Sequence, residues 1–190
     1  KCPTSTIQKG IDCYDCKKGC YECVGETYIC KSCISGYYLY HYECMKKCPE
    51  TTTIQGKNCV DCEKPCYTCS DTIDTCTYCI AGYYLHNKKC VSECPKGFFE
   101  DDLTCSPCDE ECANCSKSSD FCHECKMNYF LYNNKCYLNC ADLNNAAIGE
   151  YYGKNNEEKT CQKCNDVNCI DCSMNYKKCS RMSIEKGEEI

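Results

Sequence analysis

Cysteines stand at positions 2, 13, 16, 20, 23, 30, 33 and 44, and the same eight return twice, each displaced by 46 residues. The second set is 48, 59, 62, 66, 69, 76, 79 and 90; the third is 94, 105, 108, 112, 115, 122, 125 and 136. A frame that holds without a slip over three periods means one small unit repeated in tandem. A fourth copy starts at Cys140 and continues through Cys161, Cys164, Cys169, Cys172 and Cys179. It carries ten extra residues before Cys161 and one more before Cys169, and Met182 stands where the seventh cysteine would fall. The expected repeats are 1–47, 48–93, 94–139 and 140–190, the last divergent, truncated and bearing a 20-residue loop over 141–160.

Thirty of the 190 residues are cysteine, an even number. So dense a set belongs to small secreted scaffolds whose thiols are crosslinked, because cytosolic redox buffers keep thiols reduced. Outside cysteine the chain is poor in core-forming residues, with no Trp, four Phe and a mean hydropathy of -0.60. Crosslinks must therefore replace burial. A bridge closing a loop of about ten residues removes about 3 kcal/mol of unfolded-state entropy. The net charge of -6 offers no basic patch for nucleic acid, and no apolar stretch reaches the length of a membrane span. The chain starts at Lys1 rather than Met, which points to a removed leader or an excised segment.

Eight cysteines allow on the order of a hundred pairings. The fourth copy loses positions seven and eight together while the total stays even, so those two pair with each other and the first six are self-sufficient. The insertion between positions one and two fits a loop closed by its own bridge. Cys20 and Cys23 lie too close for an easy bridge. Spacing alone still leaves two choices: interleaved Cys16–Cys23 with Cys20–Cys30, or sequential Cys16–Cys20 with Cys23–Cys30.

The stretches SGYYLYHYEC, AGYYLHNKKC and MNYFLYNNKC each place two aromatics and a leucine before a polar turn. Gly36, Gly82 and Asn128 share one position, and both residue types tolerate a left-handed backbone. Aromatic runs favour short strands, with His86-Asn87 and Asn133-Asn134 turning them back as hairpins. The fold class is small and disulfide-rich: tandem 46-residue cystine-stapled units of short β-hairpins forming an elongated rod, with little or no helix.

The frame C-P-x9-C-x2-C-x3-C-x2-C-x6-C-x2-C-x2-G-Y-Y-L-x4-C, with Cys2-Pro3, Cys48-Pro49 and Cys94-Pro95 at its starts, resembles the furin-like, growth-factor-receptor cysteine-rich repeat. The resemblance covers essentially the whole chain. It implies single-bridge bows at Cys2–Cys13, Cys33–Cys44, Cys48–Cys59, Cys79–Cys90, Cys94–Cys105, Cys125–Cys136 and Cys140–Cys161. It implies interleaved knots at Cys16–Cys23 with Cys20–Cys30, Cys62–Cys69 with Cys66–Cys76, Cys108–Cys115 with Cys112–Cys122, and Cys164–Cys172 with Cys169–Cys179. The fourth copy departs from the family pattern at Ala141, which replaces Pro, and at Met182. Relatives of the module occur in receptor ectodomains, in secreted modulators similar to R-spondins, and in surface proteins of ciliates and other protists. The uniform period and the Tyr-, Asn- and Lys-rich character look most like the last group.

Zinc is the chemical rival, since Cys-x2-Cys pairs are its usual ligands. Yet zinc folds rarely use eight cysteines per 46 residues, and only His41, His86 and His123 can help. A thioredoxin-like site needs one Cys-x2-Cys at a helix start, and here such pairs occur throughout without helices. The acidic runs Glu100-Asp101-Asp102 and Asp109-Glu110-Glu111 lack calcium-loop spacing and read as solvated faces. No catalytic, metal or cofactor residue is expected. Asn114-Cys115-Ser116 matches a glycosylation sequon, and Thr4-Ser5-Thr6 and Thr51-Thr52-Thr53 are candidate O-linked sites.

The expected function is a non-enzymatic extracellular structural or adhesive protein of a cell-surface coat or filament. A ligand-binding ectodomain or secreted modulator is the alternative, with 141–160 as its binding loop. A zinc-binding cysteine-rich protein is the second alternative. The expected partners are proteins, with copies of this chain among them. Residues 2–47 sum to +1 and residues 94–139 to -4, which favours head-to-tail contact.

Overall fold

The computed structural model describes residues 1–183; the end of the fourth repeat, 184–190, lies outside it. The described chain is a series of short antiparallel hairpins, with helix confined to one 3-10 turn at Cys140–Leu143. Two compact units divide it, Lys1–Ser92 and Glu93–Ile190, and each holds two of the cysteine repeats.

One repeat consists of three ribbons. In the first repeat, Thr6–Lys9 pairs with Asp12–Asp15, Cys20–Cys23 with Cys30–Cys33, and Tyr38–Tyr40 with Glu43–Met45. The middle ribbon answers a geometric demand of the Cys-x2-Cys spacing. In a regular pleated strand, residues three apart point to opposite faces. Cys20 and Cys23 nevertheless both lie buried while Tyr21 and Glu22 face out. The strand achieves this with register shifts on either side of Glu22, an irregularity of the bulge kind that returns Cys23 to the inner face. The same shifts recur in Cys66–Cys69 against Cys76–Cys79 and in Cys112–Cys115 against Cys122–Cys125.

The third ribbon turns on two left-handed residues. His41 and Tyr42 have φ of 44° and 65°, Asn87 and Lys88 have 47° and 63°, and Asn133 and Asn134 have 46° and 60°. Two consecutive positive φ values are the signature of the tight hairpin turn that matches strand twist. The expected turn at Asn133-Asn134 is present; in the second repeat it falls one residue later than expected, at Asn87-Lys88 instead of His86-Asn87. His86 ends the strand Tyr84–His86, because the turn keeps the 46-residue frame rather than following the best turn formers. Gly36, Gly82 and Asn128 are left-handed as expected, at 83°, 86° and 73°.

Within each unit the third ribbon of one repeat joins the first ribbon of the next. Leu39 pairs in parallel with Asn58, giving a four-stranded sheet ordered Glu43–Met45, Tyr38–Tyr40, Asn58–Asp61, Thr52–Gln55. Leu131 pairs likewise with Thr160, in a sheet ordered Lys135–Tyr137, Phe130–Tyr132, Thr160–Lys163, Tyr152–Asn155. Leu39 and Leu131, the leucines of the first and third aromatic runs, are thus the residues whose backbone joins neighbouring repeats within a unit.

The insertion does not form one loop. Its second half is the same first ribbon found in every other repeat, Tyr152–Asn155 against Thr160–Lys163. The extra residues are spent on the 3-10 turn, on an Asn145–Glu150 bridge ahead of the ribbon, and on a longer ribbon tip. Tyr152 packs with Phe130, Cys140 and Cys161, flanked by Tyr132, Tyr137 and Leu143. Elsewhere sulfur fills the interior: among the described residues fifteen of the seventeen buried apolar side chains are cysteine.

Candidate functional site

The chemistry this chain carries is in its sulfur. All thirty cysteines are bridged, with Cα–Cα distances of 5.1 to 5.8 Å, within the range a disulfide spans without moving the backbone. Bows close Cys2–Cys13, Cys33–Cys44, Cys48–Cys59, Cys79–Cys90, Cys94–Cys105, Cys125–Cys136 and Cys140–Cys161. Interleaved knots join Cys16–Cys23 with Cys20–Cys30, Cys62–Cys69 with Cys66–Cys76, Cys108–Cys115 with Cys112–Cys122, and Cys164–Cys172 with Cys169–Cys179. Of the two arrangements that spacing leaves open, the chain adopts the interleaved one. The fourth middle ribbon places Met182 opposite Cys169, where the first places Cys33 opposite Cys20. Met182 holds the strand position of the seventh cysteine without its bridge.

Knots and bows touch. The sulfurs of Cys20, Cys30 and Cys44 all lie within 4.8 Å of one another, as do those of Cys66, Cys76 and Cys90, and of Cys112, Cys122 and Cys136. Three thiolates so placed would suit a soft metal ion. Each trio consists instead of one complete bridge and one half of another, and it is the thiolate, not the bridged sulfur, that ligates.

The docking of bow on knot is repeated in the backbone. The amides of Cys30, Cys76 and Cys122 donate to the carbonyls of Tyr42, Lys88 and Asn134, at 2.8, 2.9 and 2.7 Å. Ion pairs reinforce it unevenly. Lys89 meets Asp74, and Lys135 meets Asp120 at 3.4 Å one repeat later. The first repeat has Glu43 and Tyr28 at these two positions, and Glu43 turns to Lys17 at 2.7 Å. Hydrogen bonds from Lys89 and then Thr72 hold the Asp74 carboxyl down at about 2. Ser118 and then Lys135 lower Asp120, and Lys17 lowers Glu43. All are exposed, so their contribution to stability is small.

The three histidines stay apart in chemistry. His41 stacks on Tyr40 with ring centroids 4.0 Å apart and lies 3.7 Å from Asp61. His86 meets the Asn87 amide at 3.0 Å. The Nε2 of His123 lies 2.6 Å from the Ser116 hydroxyl, with Phe121 edge-on to the ring. His123 bonds within its own ribbon, His86 meets the next residue of its turn, and His41 reaches Asp61 in the first ribbon of the second repeat. The acidic runs serve turns as well: Asp101 accepts from Ser106 at 2.8 Å, and the Asp109 and Glu111 carbonyls accept from Cys112 and Lys126.

The threonine runs correct one expectation. Thr52 and Thr53 are each only 8% exposed, and Thr52 donates to the Pro49 carbonyl at 2.7 Å, as Thr6 does to Pro3. Buried hydroxyls under the first ribbon are structural, and of the second run only Thr51 remains a candidate for O-linked sugar. Asn114 sits inside the strand Cys112–Cys115, half-buried, opposite Glu124. Sequence reasoning missed a polar chain between the third and fourth repeats, in which Tyr132 and Tyr152 hydroxyls lie 3.0 Å apart and Tyr152 donates to Glu150 at 3.3 Å. The bond with Tyr132, ahead of burial, pushes the Tyr152 hydroxyl up. No helix among the described residues is long and apolar enough to cross a membrane.

Compared with protein-family models and with curated proteins, the chain returns no match.

Proposed function

We propose that this chain is a non-enzymatic, extracellular structural or adhesive module, a cystine-stapled tandem element of a cell-surface coat or filament. The observation that carries the reading is the completeness of the crosslinking. Every cysteine is bridged, most bridges span 7 to 11 residues, and almost nothing else is buried. A module built this way tolerates proteases and denaturants without a large core, because unfolding cannot release much chain entropy. The bridging also fits an oxidising compartment, and with it secretion. The module type is that of the furin-like, growth-factor-receptor repeat, on the strength of the shared cysteine frame and interleaved knots. Exposed tyrosines such as Tyr14, Tyr21, Tyr28 and Tyr42 give the first repeat amphipathic rings of the sort that favour contact between chains.

The alternative, a ligand-binding ectodomain, draws on residues 141–151, where most of the residues added in the fourth repeat lie. Exposed Ile148 and the Asn145–Glu150 bridge present a small, ordered projection there. Electron microscopy of the native source material, paired with sedimentation of the purified chain across concentration, tests the primary reading. Filaments or reversible self-association support it. A strictly monomeric chain that loses partner capture when Ala146, Ala147 and Ile148 are changed to Ser, Ser and Asp favours the alternative.

A further inference from the structure

In the second and third repeats a cleft lies beside the first bow, where the first ribbon approaches the middle one. In the second repeat its lining includes Pro49, Thr52, Thr53, Ile54 and Asp71. In the third repeat the equivalent cleft, of about 640 Å3, is lined instead by Phe98, Phe99, Asn114, Ser116 and Lys117 among others. The two repeats share the cysteine frame, and at this place their side chains differ in kind. Small threonines are replaced by two phenylalanines, and Thr68-Cys69-Ser70 becomes Asn114-Cys115-Ser116.

We propose that Asn114 carries an N-linked oligosaccharide whose core lies in this cleft against Phe98 and Phe99. The two side chains at the equivalent strand position are used differently. Thr68 shares a hydrogen bond with Thr77 at 2.7 Å. The Asn114 amide has no hydrogen-bond partner within the protein among the described residues, and no half-buried side-chain polar atom there is both unpaired and sealed from water. The amide therefore faces solvent through the cleft. A volume of this size is in the range of small-molecule pockets, and Phe98 and Phe99 stand among its lining residues, Phe99 packing as well against the buried Cys112, Cys115 and Cys122. Pyranose C–H groups pack on aromatic faces, so the core sugars find an apolar wall where the second repeat offers only threonine and isoleucine.

The chemistry is transfer from a lipid-linked oligosaccharide pyrophosphate in the secretory pathway. The Asn114 Nδ2 forms a bond to the anomeric carbon, the carbon–oxygen bond to pyrophosphate breaks, and the lipid pyrophosphate leaves with the electron pair. The Nδ2 proton passes to a base of the transferase. Transfer precedes folding, so the Ser116 hydroxyl serves recognition before it settles against His123 at 2.6 Å.

The proposal rests on the extracellular reading, and one experiment separates the two. The chain is purified from its source or from a secreting eukaryotic host, denatured without reduction, and treated with a peptide N-glycosidase in heavy-oxygen water. The expected result is loss of an oligosaccharide mass, conversion of Asn114 to labelled Asp, and no such change in Asn114→Gln or Ser116→Ala. Nuclear Overhauser contacts between core sugar protons and the Phe98 or Phe99 ring are expected in the untreated protein. An unmodified Asn114 in a chain with all thirty cysteines bridged overturns the proposal and leaves the extracellular reading standing. An unmodified Asn114 together with free thiols overturns both. A glycan without contacts to either ring overturns its seating in the cleft.

Discussion

The amide of Cys30 donates to the carbonyl of Tyr42 at 2.8 Å, and Tyr42 adopts a φ of 65° to hold that carbonyl in place. The bond pins a bow hairpin onto a knot. It depends on a backbone conformation that costs an ordinary L-residue roughly 1–2 kcal/mol. The third repeat meets the same need with Asn134, whose side-chain amide also donates to the Cys122 carbonyl at 3.2 Å. Tyr42→Asn is therefore expected to stabilise the first repeat by about 1 kcal/mol, and Asn134→Tyr to destabilise the third by a similar amount. Amide hydrogen exchange at Cys30 and Cys122 measures both changes, slower in the first variant and faster in the second.

Acid weakens the same junction through its ion pairs. The Asp74 carboxyl is held at about 2 in the folded chain against an ordinary 3.8. A depressed folded value means that the pair's stabilisation is fully present above 3.8 and is lost as pH falls through about 2. Carboxyl carbon shifts followed by nuclear magnetic resonance should give that low midpoint, and Lys89→Met should move it upward toward 3.8. The first repeat lacks this pair, so its own acid response follows Glu43, lowered by Lys17.

The sulfur trios predict where a broken bridge scrambles. Removing Cys33 frees Cys44, whose sulfur lies within 4.8 Å of both members of the Cys20–Cys30 bridge. In Cys33→Ser the freed thiolate attacks that bridge, a new bond to Cys20 or Cys30 forms, and the displaced sulfur becomes the free thiol. Removing Cys2 frees Cys13, which belongs to no trio. Alkylation of folded Cys33→Ser, followed by peptide mapping, should find label distributed over Cys20, Cys30 and Cys44. In Cys2→Ser the label should remain on Cys13.

The fourth repeat has a weak point of a different kind. A methyl group on Gly153 would collide with the carbonyl oxygen and sulfur of Cys172. Neither can yield, since Cys172 is bridged to Cys164 and is 1% exposed. Gly153→Ala should destabilise this repeat by about 1–3 kcal/mol. Tyr152→Phe, which removes the hydroxyl between Tyr132 and Glu150, should cost about 1 kcal/mol. Denaturant unfolding of the oxidised protein, monitored at Tyr132, distinguishes the two.

Much of the fold was legible because cysteine is an unusually explicit residue. A bridge has narrow geometry, so a frame of eight that never slips leaves few ways to close it, and Met182 in place of a cysteine shows which bridge can be dropped. The aromatic-leucine run gave the third ribbon for a similar reason, since it is short and bounded by Gly36, Gly82 or Asn128. What sequence concealed is what bridges impose on weak local preferences. Nothing in the chemistry of Tyr42 or Lys88 favours a left-handed turn; the repeat frame puts them there. Residues 152–160 read as loop because the first ribbon of the fourth repeat has a longer tip and no strong turn signal, yet pairing with Leu131 and burial of Tyr152 draw them into a sheet. Asn114 was visible as a motif, but its place beside Phe98 and Phe99 was not, because those residues are joined only by the folded ribbons.

The covalent scaffold turns on the pairing of Cys20 with Cys30 across Cys16 with Cys23. Non-reducing peptide mapping of the native chain, with thiols capped at low pH and linked peptides fragmented by electron transfer, reads that pairing. Fifteen linked pairs with the knots interleaved, and no capped cysteine, are predicted. Sequential Cys16–Cys20 and Cys23–Cys30 links, or thiols that become reactive only when a chelator strips a metal ion, would contradict it.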